Sequence, residues 1–359
     1  MPKTMSAQVF YEPEDMRLEQ VPVPKPADDQ VLFAVKACSI CGSDVAYYYG
    51  DSSLETESGK GPLILGHEFA GEVVEVGKIP AALGLFKPGD RVVADPVQYC
   101  NSCASCKKGQ VNLCEVKAVL GVSTNGGFAE YCVSHYTGLH KVPEGVSWEH
   151  AALTEPLADA VYAVNNMDIQ TGDFAVVIGP GAIGLMMLQL CKAAGAGTVA
   201  LVGTRDYRLE IGKQAGADVV INTKDANSPY YAADLKAKIE DLTGGMFADA
   251  VVTPTGAVEA MEQALAISGR RSRVVYFGLP ADDAIIRVPA LESILWDKTI
   301  RFSWLAPLTW PAAVQAMSTG LVDLSMICTH TMKLDDLKQG LADVKDRKGN
   351  PIKAVVKMG

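Results

Sequence analysis

The chain has 359 residues, 48% apolar and 21% charged, a globular composition that excludes a disordered or fibrous protein and, at this length, predicts more than one domain. Thirty-two Lys and Arg against 42 Asp and Glu leave a formal charge of −10, which argues against a nucleic-acid or anionic-membrane partner because phosphate attraction needs a basic face. Nine cysteines, with Cys100, Cys103, Cys106 and Cys114 clustered, do not resemble the paired framework of a small secreted domain. Metal binding in a reducing cytoplasm is expected instead. No basic-then-apolar signal segment opens the chain at Met1-Pro2-Lys3-Thr4-Met5, and the apolar stretches are interrupted well short of the ~20 residues a spanning helix needs.

From residue 1 to about 155, short β-like runs such as 31–37 and 72–76 alternate with Pro and Gly and predict an irregular, mostly β domain. Within it, Cys41 in Cys41-Gly42-Ser43-Asp44, His67-Glu68, and Glu155 before Pro156 offer a thiolate, an imidazole and carboxylates. Such a mixed set suits a catalytic zinc that keeps one position for water or substrate. Spacing alone leaves the plainer reading open: a buried thiol, a hydrogen-bonded histidine and surface carboxylates. Cys100, Cys103, Cys106 and Cys114 put four soft ligands on one turn-rich loop, a spacing that suits a closed tetrahedral zinc site serving structure rather than chemistry. A pair of disulfides is the competing reading and fits the short spacings poorly.

From 158 to about 304, apolar strand candidates at 174–178, 198–202, 249–252 and 273–277 alternate with helical stretches, the pattern of βαβ units around a parallel sheet. The first runs into Gly179-Pro180-Gly181-Ala182-Ile183-Gly184 and then a helix with Ile183, Met187, Leu190 and Ala194 on one face. G-x-G-x-x-G here has its required setting. The first glycine allows the tight turn, the second lets backbone approach a pyrophosphate, and the third lets helix pack on strand, while the helix N-terminus offers N–H groups and positive dipole. The next strand ends at Val202, where an NAD-binding fold usually places an acidic residue for the ribose 2′-hydroxyl. Gly203-Thr204-Arg205 stands there instead: glycine makes room, Thr204 can donate a hydrogen bond and Arg205 can pair with a 2′-phosphate, which favours NADP over NAD. The alternative is that Arg205 is a solvated turn residue and Asp206 serves the ribose. Residues 305–359 hold two helix-like segments and a final strand candidate at 352–357.

The motifs Cys41-Gly42-Ser43-Asp44, GHEFAGEVVEVG over 66–77, PGDRV over 88–92, the four-cysteine lobe, GGFAEY over 126–131, EPLA over 155–158 and the glycine turn occur in the order seen in zinc-dependent medium-chain dehydrogenases/reductases. Essentially the whole chain resembles that family, and EPLA makes it most similar to the sorbitol and threonine dehydrogenase branch. The resemblance implies an α/β chain: a GroES-like, mostly β catalytic domain (1–157 and 305–359) interrupted by a Rossmann domain with a doubly wound parallel sheet (158–304), assembled as a homodimer or homotetramer. It implies Cys41 and His67 as constant ligands of the catalytic zinc, Glu68 as third ligand and Glu155 bound directly or through water, the two glutamates exchanging during turnover. Ser43 and Glu155 would move the proton, and Asp44 would orient the site. Gly179, Gly181, Ala182, Ile183, Gly184, Gly203, Thr204 and Arg205 would hold the coenzyme.

Two zinc ions per chain and NADP, with NAD as the alternative, are the implied cofactors. The implied reaction is hydride transfer between a secondary alcohol and nicotinamide; a threonine-type amino-alcohol dehydrogenase and a non-catalytic coenzyme-binding relative are the alternatives. Polyol dehydrogenases carry an Arg-Tyr pair where this chain has Leu305-Ala306 behind Trp304; losing those donors weakens polyol binding and makes a more apolar, cyclic or steroid-like alcohol a serious competitor to a polyol. The slightly expanded stretch 77–86 is expected to be a surface loop. Packing roles are expected for most of Tyr47, Tyr48 and Tyr49, for Trp296 and Trp304, and for Cys38, Cys132, Cys191 and Cys328.

Overall fold

The computed structural model describes residues 2–52 and 61–358. They fall into two compact units: one from Met1–Pro156, Trp310–Ser318 and Ile327–Gly359, the other from Leu157–Thr309 and Thr319–Met326. The expected return to the first unit at residue 305 comes later, at Trp310, and the chain visits the second unit once more. Side-chain hydrogen bonds explain both shifts. Thr309 Oγ1 donates to the Ala158 carbonyl at 2.9 Å, and the Gln189 carboxamide accepts from Asp323 N at 2.7 Å and donates to its carbonyl at 3.3 Å.

The first unit is built on a β-sheet in which Gln30–Ser39 is central, flanked antiparallel by Glu68–Val76 and by the C-terminal strand Lys353–Lys357. Its register places Ser39 opposite both Glu68 and Val355. Apolar residues of these strands and of Thr4–Glu12 bury one core, in which Phe33 and Phe69 stack with ring centroids 5.8 Å apart. Tyr48 is part of that core, and Tyr47 and Tyr49 pack against it from the helix Gly42–Tyr49. The stretch 77–86 is not simply a loop: Lys78–Ala82 forms a short helix, closed onto the sheet by Ile79 N donating to the Asp28 carbonyl at 2.8 Å.

The second unit is a six-stranded parallel sheet, in spatial order Val219–Asn222, Thr198–Gly203, Phe174–Ile178, Ala248–Thr253, Ser268–Tyr276, Thr299–Phe302. The order reverses between Phe174–Ile178 and Ala248–Thr253, the topological switch point at which doubly wound sheets bind nucleotides. Val176, Val177, Leu201, Val251 and Val252 are fully buried, as strands covered on both faces require. Two strands escape periodicity. Val219–Asn222 is only four residues long, and Thr299–Phe302, an edge strand, carries exposed side chains rather than an apolar run. The helix after the glycine turn, Ala182–Ala193, is buried over the whole stretch from Gly184 to Cys191, not on one face, and Ala194 is its exposed C-cap.

Candidate metal centre and coenzyme turn

Cys41 is the N-cap of the helix Gly42–Tyr49, at the end of the central strand, and its backbone N–H donates to Asp44 Oδ2 at 2.8 Å. That bond fixes the fully buried Asp44, whose Oδ1 then lies 3.4 Å from His67 Nδ1. With Nδ1 facing a carboxylate, Nε2 is the ring atom left for a ligand, and Ser43 Oγ lies 3.4 Å from it. Donor atoms of Cys41, His67 and Glu68 all lie within 4.8 Å of one another. Burial acts to lower the His67 pKa, but the charge of Asp44 and hydrogen bonds with Asp44 and Cys41 raise it well above the ordinary histidine range. Cys41, His67 and Glu68 offer sulfur, nitrogen and oxygen donors of the kinds zinc takes, so the donor set fits zinc.

Glu155, buried at 9% exposure in the first turn of the helix Thr154–Met167, is not in that three-donor group. Two residues that sequence reasoning missed touch its Glu68. Lys353 Nζ lies 2.5 Å from Glu68 Oε1 with both side chains almost wholly buried, and Ser39 Oγ donates to Glu68 Oε2 in a short hydrogen bond. A lysine inside an apolar terminal strand was the available signal. Its burial opposes the charge, but Glu68, Cys41 and Glu155 raise its pKa, Glu68 first, so it is a buried ammonium paired with Glu68.

The other cysteine group also converges. The sulfurs of Cys100, Cys103, Cys106 and Cys114 lie within 4.8 Å of one another, and all nine cysteines are unpaired. Backbone N–H groups point at the sulfurs: Cys103 N to Cys100 Sγ at 3.3 Å, Cys100 N to Cys114 Sγ at 3.4 Å and Cys106 N to Cys103 Sγ at 3.5 Å. Hydrogen bonds from Ser102 and from Cys103 N bring Cys100 down to about 6, whereas burial pushes Cys106 up to about 12. Asn101 takes the left-handed conformation, φ 56°, that closes the turn. Four soft donors with no open direction fit a tetrahedral zinc.

In the second unit, Gly179 has φ 129° and Gly181 caps the helix Ala182–Ala193, so the N–H groups of Ala182, Ile183 and Gly184 open its first turn. A Cβ on Gly184 would meet the Gly179 carbonyl at 1.9 Å. A Cβ on Gly181 would meet nothing nearer than Arg208 Nη1 at 3.9 Å, which leaves an open cradle for a phosphate. Gly203, ending its strand, is pinned differently from the expectation that it makes room for a 2′-phosphate: a Cβ there would meet Pro180 Cγ at 2.6 Å. Pro180 therefore occupies the space an acidic side chain at 203 would need. Thr204 is exposed, and Arg205 is the N-cap of the helix Asp206–Gln214. Asp206 is committed elsewhere: its Oδ1 accepts from Asn222 Nδ2 and Ser228 Oγ, both at 2.7 Å. Arg208 over the glycine turn was missed, although it stands three residues after Arg205, where side chains of one helix share a face.

A β unit carrying two metal-type donor groups, joined to a doubly wound unit with a dinucleotide turn, defines the zinc-type dehydrogenases. Residues 27–144 match the alcohol dehydrogenase GroES-like domain and 182–319 the zinc-binding dehydrogenase domain. The chain is 30% identical over 358 residues to the sorbitol dehydrogenase of Bacillus subtilis, covering 99% of this chain and 98% of that one. It is 32% identical to the erythritol/L-threitol dehydrogenase of Mycolicibacterium smegmatis, with 95% and 94% covered. A zinc-binding dehydrogenase from Sinorhizobium meliloti, solved bound to NADP, superposes with a TM-score of 0.90 at 25% identity, covering 99% of this chain and 100% of that one. The chain belongs to the zinc-dependent medium-chain dehydrogenase/reductase superfamily, in its sorbitol dehydrogenase-like branch, and is an NAD(P)-dependent alcohol dehydrogenase. These comparisons lend no support to a steroid-like substrate, and that expectation is not carried further.

Proposed function

We propose that the protein is an NADP-preferring enzyme with a catalytic and a structural zinc, interconverting a small secondary alcohol and its ketone. The observation that carries this reading is the convergence of Cys41, His67 and Glu68 within 4.8 Å. Bound at that set, zinc supplies Lewis-acid polarisation of the substrate oxygen, and bound nicotinamide supplies the hydride acceptor. The chain's own residues do the rest. Asp44 orients His67, Ser43 Oγ, 3.4 Å from His67 Nε2, would accept the hydroxyl proton while giving up its own, and the Glu155 carboxylate would take up the proton released. Leu305-Ala306 brings no hydroxyl partner, which favours alcohols with fewer hydroxyl groups than sorbitol. Nine unpaired cysteines suit the cytoplasm. Among the described residues no helix is long and apolar enough to cross a membrane.

The coenzyme preference rests on Arg205 at the N-cap of Asp206–Gln214, on Arg208 over Gly181 and on Pro180 filling the acidic residue's place. The purified enzyme, assayed with sorbitol, erythritol, 2,3-butanediol and 2-butanol, is expected to give a kcat/KM at least about tenfold higher with NADP than with NAD. Arg205→Ala and Arg208→Ala should each erode that ratio about tenfold, as loss of a charge-assisted phosphate contact does. Equal or better kinetics with NAD in the parent enzyme would overturn the preference.

Assembly with a second copy is supported by the edge of the parallel sheet. Among the described residues Thr299–Phe302 pairs on one side only, and Phe302 within it and Leu291 and Ile294 in the preceding helix Ala290–Leu295 are 70%, 72% and 75% exposed. An apolar patch on an open strand edge pairs readily with its own copy across a two-fold axis. Ile294→Glu is expected to convert the oligomer to folded monomer in light scattering; a monomeric parent protein would refute the assembly.

A further inference from the structure

We infer that Lys353 is a positioning residue of the metal centre, one that holds the Glu68 carboxylate back and so sets how strongly Glu68 engages the metal; the inference rests on the zinc reading of that donor set. Three observations carry it. Strand order brings the C-terminal strand beside Gln30–Ser39, so a residue 285 positions from Glu68 in sequence closes on it at 2.5 Å. Both oxygens of Glu68 already have a protein donor, Lys353 on Oε1 and Ser39 on Oε2, although the carboxylate lies within 4.8 Å of the Cys41 and His67 donor atoms. The pair is also nearly sealed from water, at 8% and 1% side-chain exposure, where charges interact strongly.

With zinc bound, Cys41 would be a thiolate beside the carboxylates of Glu68 and Glu155, and the Lys353 ammonium, paired with Glu68, would offset one of those charges. An outer partner that accepts a proton from a ligand strengthens that ligand; a cationic partner on a carboxylate does the reverse. Lys353 thus keeps the centre electron-poor, which suits a site that must acidify an alcohol. Removing the ammonium frees Glu68 to become a full ligand. Metal affinity then rises, and the alkaline limb that governs kcat/KM moves to higher pH.

The test uses the full-length protein, with zinc affinity measured by chelator competition and the site probed by the visible spectrum of the cobalt-substituted form. Lys353→Met is expected to bind zinc at this site about tenfold more tightly, the size typical of outer-partner changes. Its cobalt spectrum should change, and its pH profile should shift alkaline. Its metal-free form should be less stable than wild type, with stability recovered on loading. Lys353→Arg should restore wild-type behaviour, and in a Glu68→Gln background Lys353→Met should have no further effect on affinity. Ser39→Ala, which frees the other oxygen and keeps the ammonium, should tighten zinc binding in the same direction and serves if Lys353→Met does not fold. Unchanged or weaker zinc binding in the folded variants, or an effect that persists without the Glu68 charge, overturns the inference. A zinc count unchanged by Cys41→Ala overturns the zinc reading itself, and the inference with it.

Discussion

Replacing Cys41 with alanine is expected to lower kcat/KM by at least about a thousandfold, corresponding to the several kcal/mol of transition-state stabilisation a Lewis-acid metal supplies. Cys41 contributes the one thiolate of its donor group, and its backbone N–H also anchors Asp44, which in turn faces His67. Alanine keeps the Cys41 N–H contact to Asp44 but removes the sulfur, which also caps the Asp44 backbone N–H, so zinc content is read beside turnover to separate the metal from the helix start. Metal analysis should show one zinc of two removed, because the sulfurs of Cys100, Cys103, Cys106 and Cys114 form a separate closed set with its own backbone donors. Full zinc content with full turnover would refute the assignment of Cys41.

Two glycine substitutions in the dinucleotide turn should separate coenzyme binding from folding. Gly181→Ala adds a methyl that meets no protein atom within 3.9 Å, and Gly181 has an ordinary φ of −83°. The variant is expected to fold with near-native stability and to bind coenzyme at least about a hundredfold more weakly, because the methyl stands where the backbone must approach the pyrophosphate. Gly184→Ala drives its methyl to 1.9 Å from the Gly179 carbonyl and 3.2 Å from Pro254 Cγ. That overlap must push helix from strand, so stability and coenzyme binding should fall together. Fluorescence titration of coenzyme alongside thermal unfolding reads both. Normal coenzyme affinity in Gly181→Ala would place the pyrophosphate elsewhere.

The features legible in the sequence are those whose parts are close in the chain. Strand, glycine turn and helix follow one another from Phe174 to Ala193, so spacing and periodicity suffice to read a dinucleotide fold. Four cysteines within one loop announce a metal lobe for the same reason. The catalytic donor group is only half local: His67 and Glu68 adjoin, but Cys41 reaches them through the pairing of Gln30–Ser39 with Glu68–Val76, and spacing alone left it weak until the family resemblance was added. Both end strands of the parallel sheet were missed, because a four-residue strand offers too few positions for a period to show.

The sequence by itself determined the two-unit α/β architecture, the enzyme class and the identity of most candidate ligands, since each is encoded in contiguous motifs whose local geometry is nearly obligatory. Only the tertiary structure decided which neighbours tune them. Pro180 fills the space beside Gly203, Asp206 turns away to Asn222 and Ser228, Arg208 lies over Gly181, and Lys353 crosses most of the chain's length to pair with Glu68. These contacts arise from strand order and side-chain packing, which bring together residues whose separation in sequence carries no periodic signal.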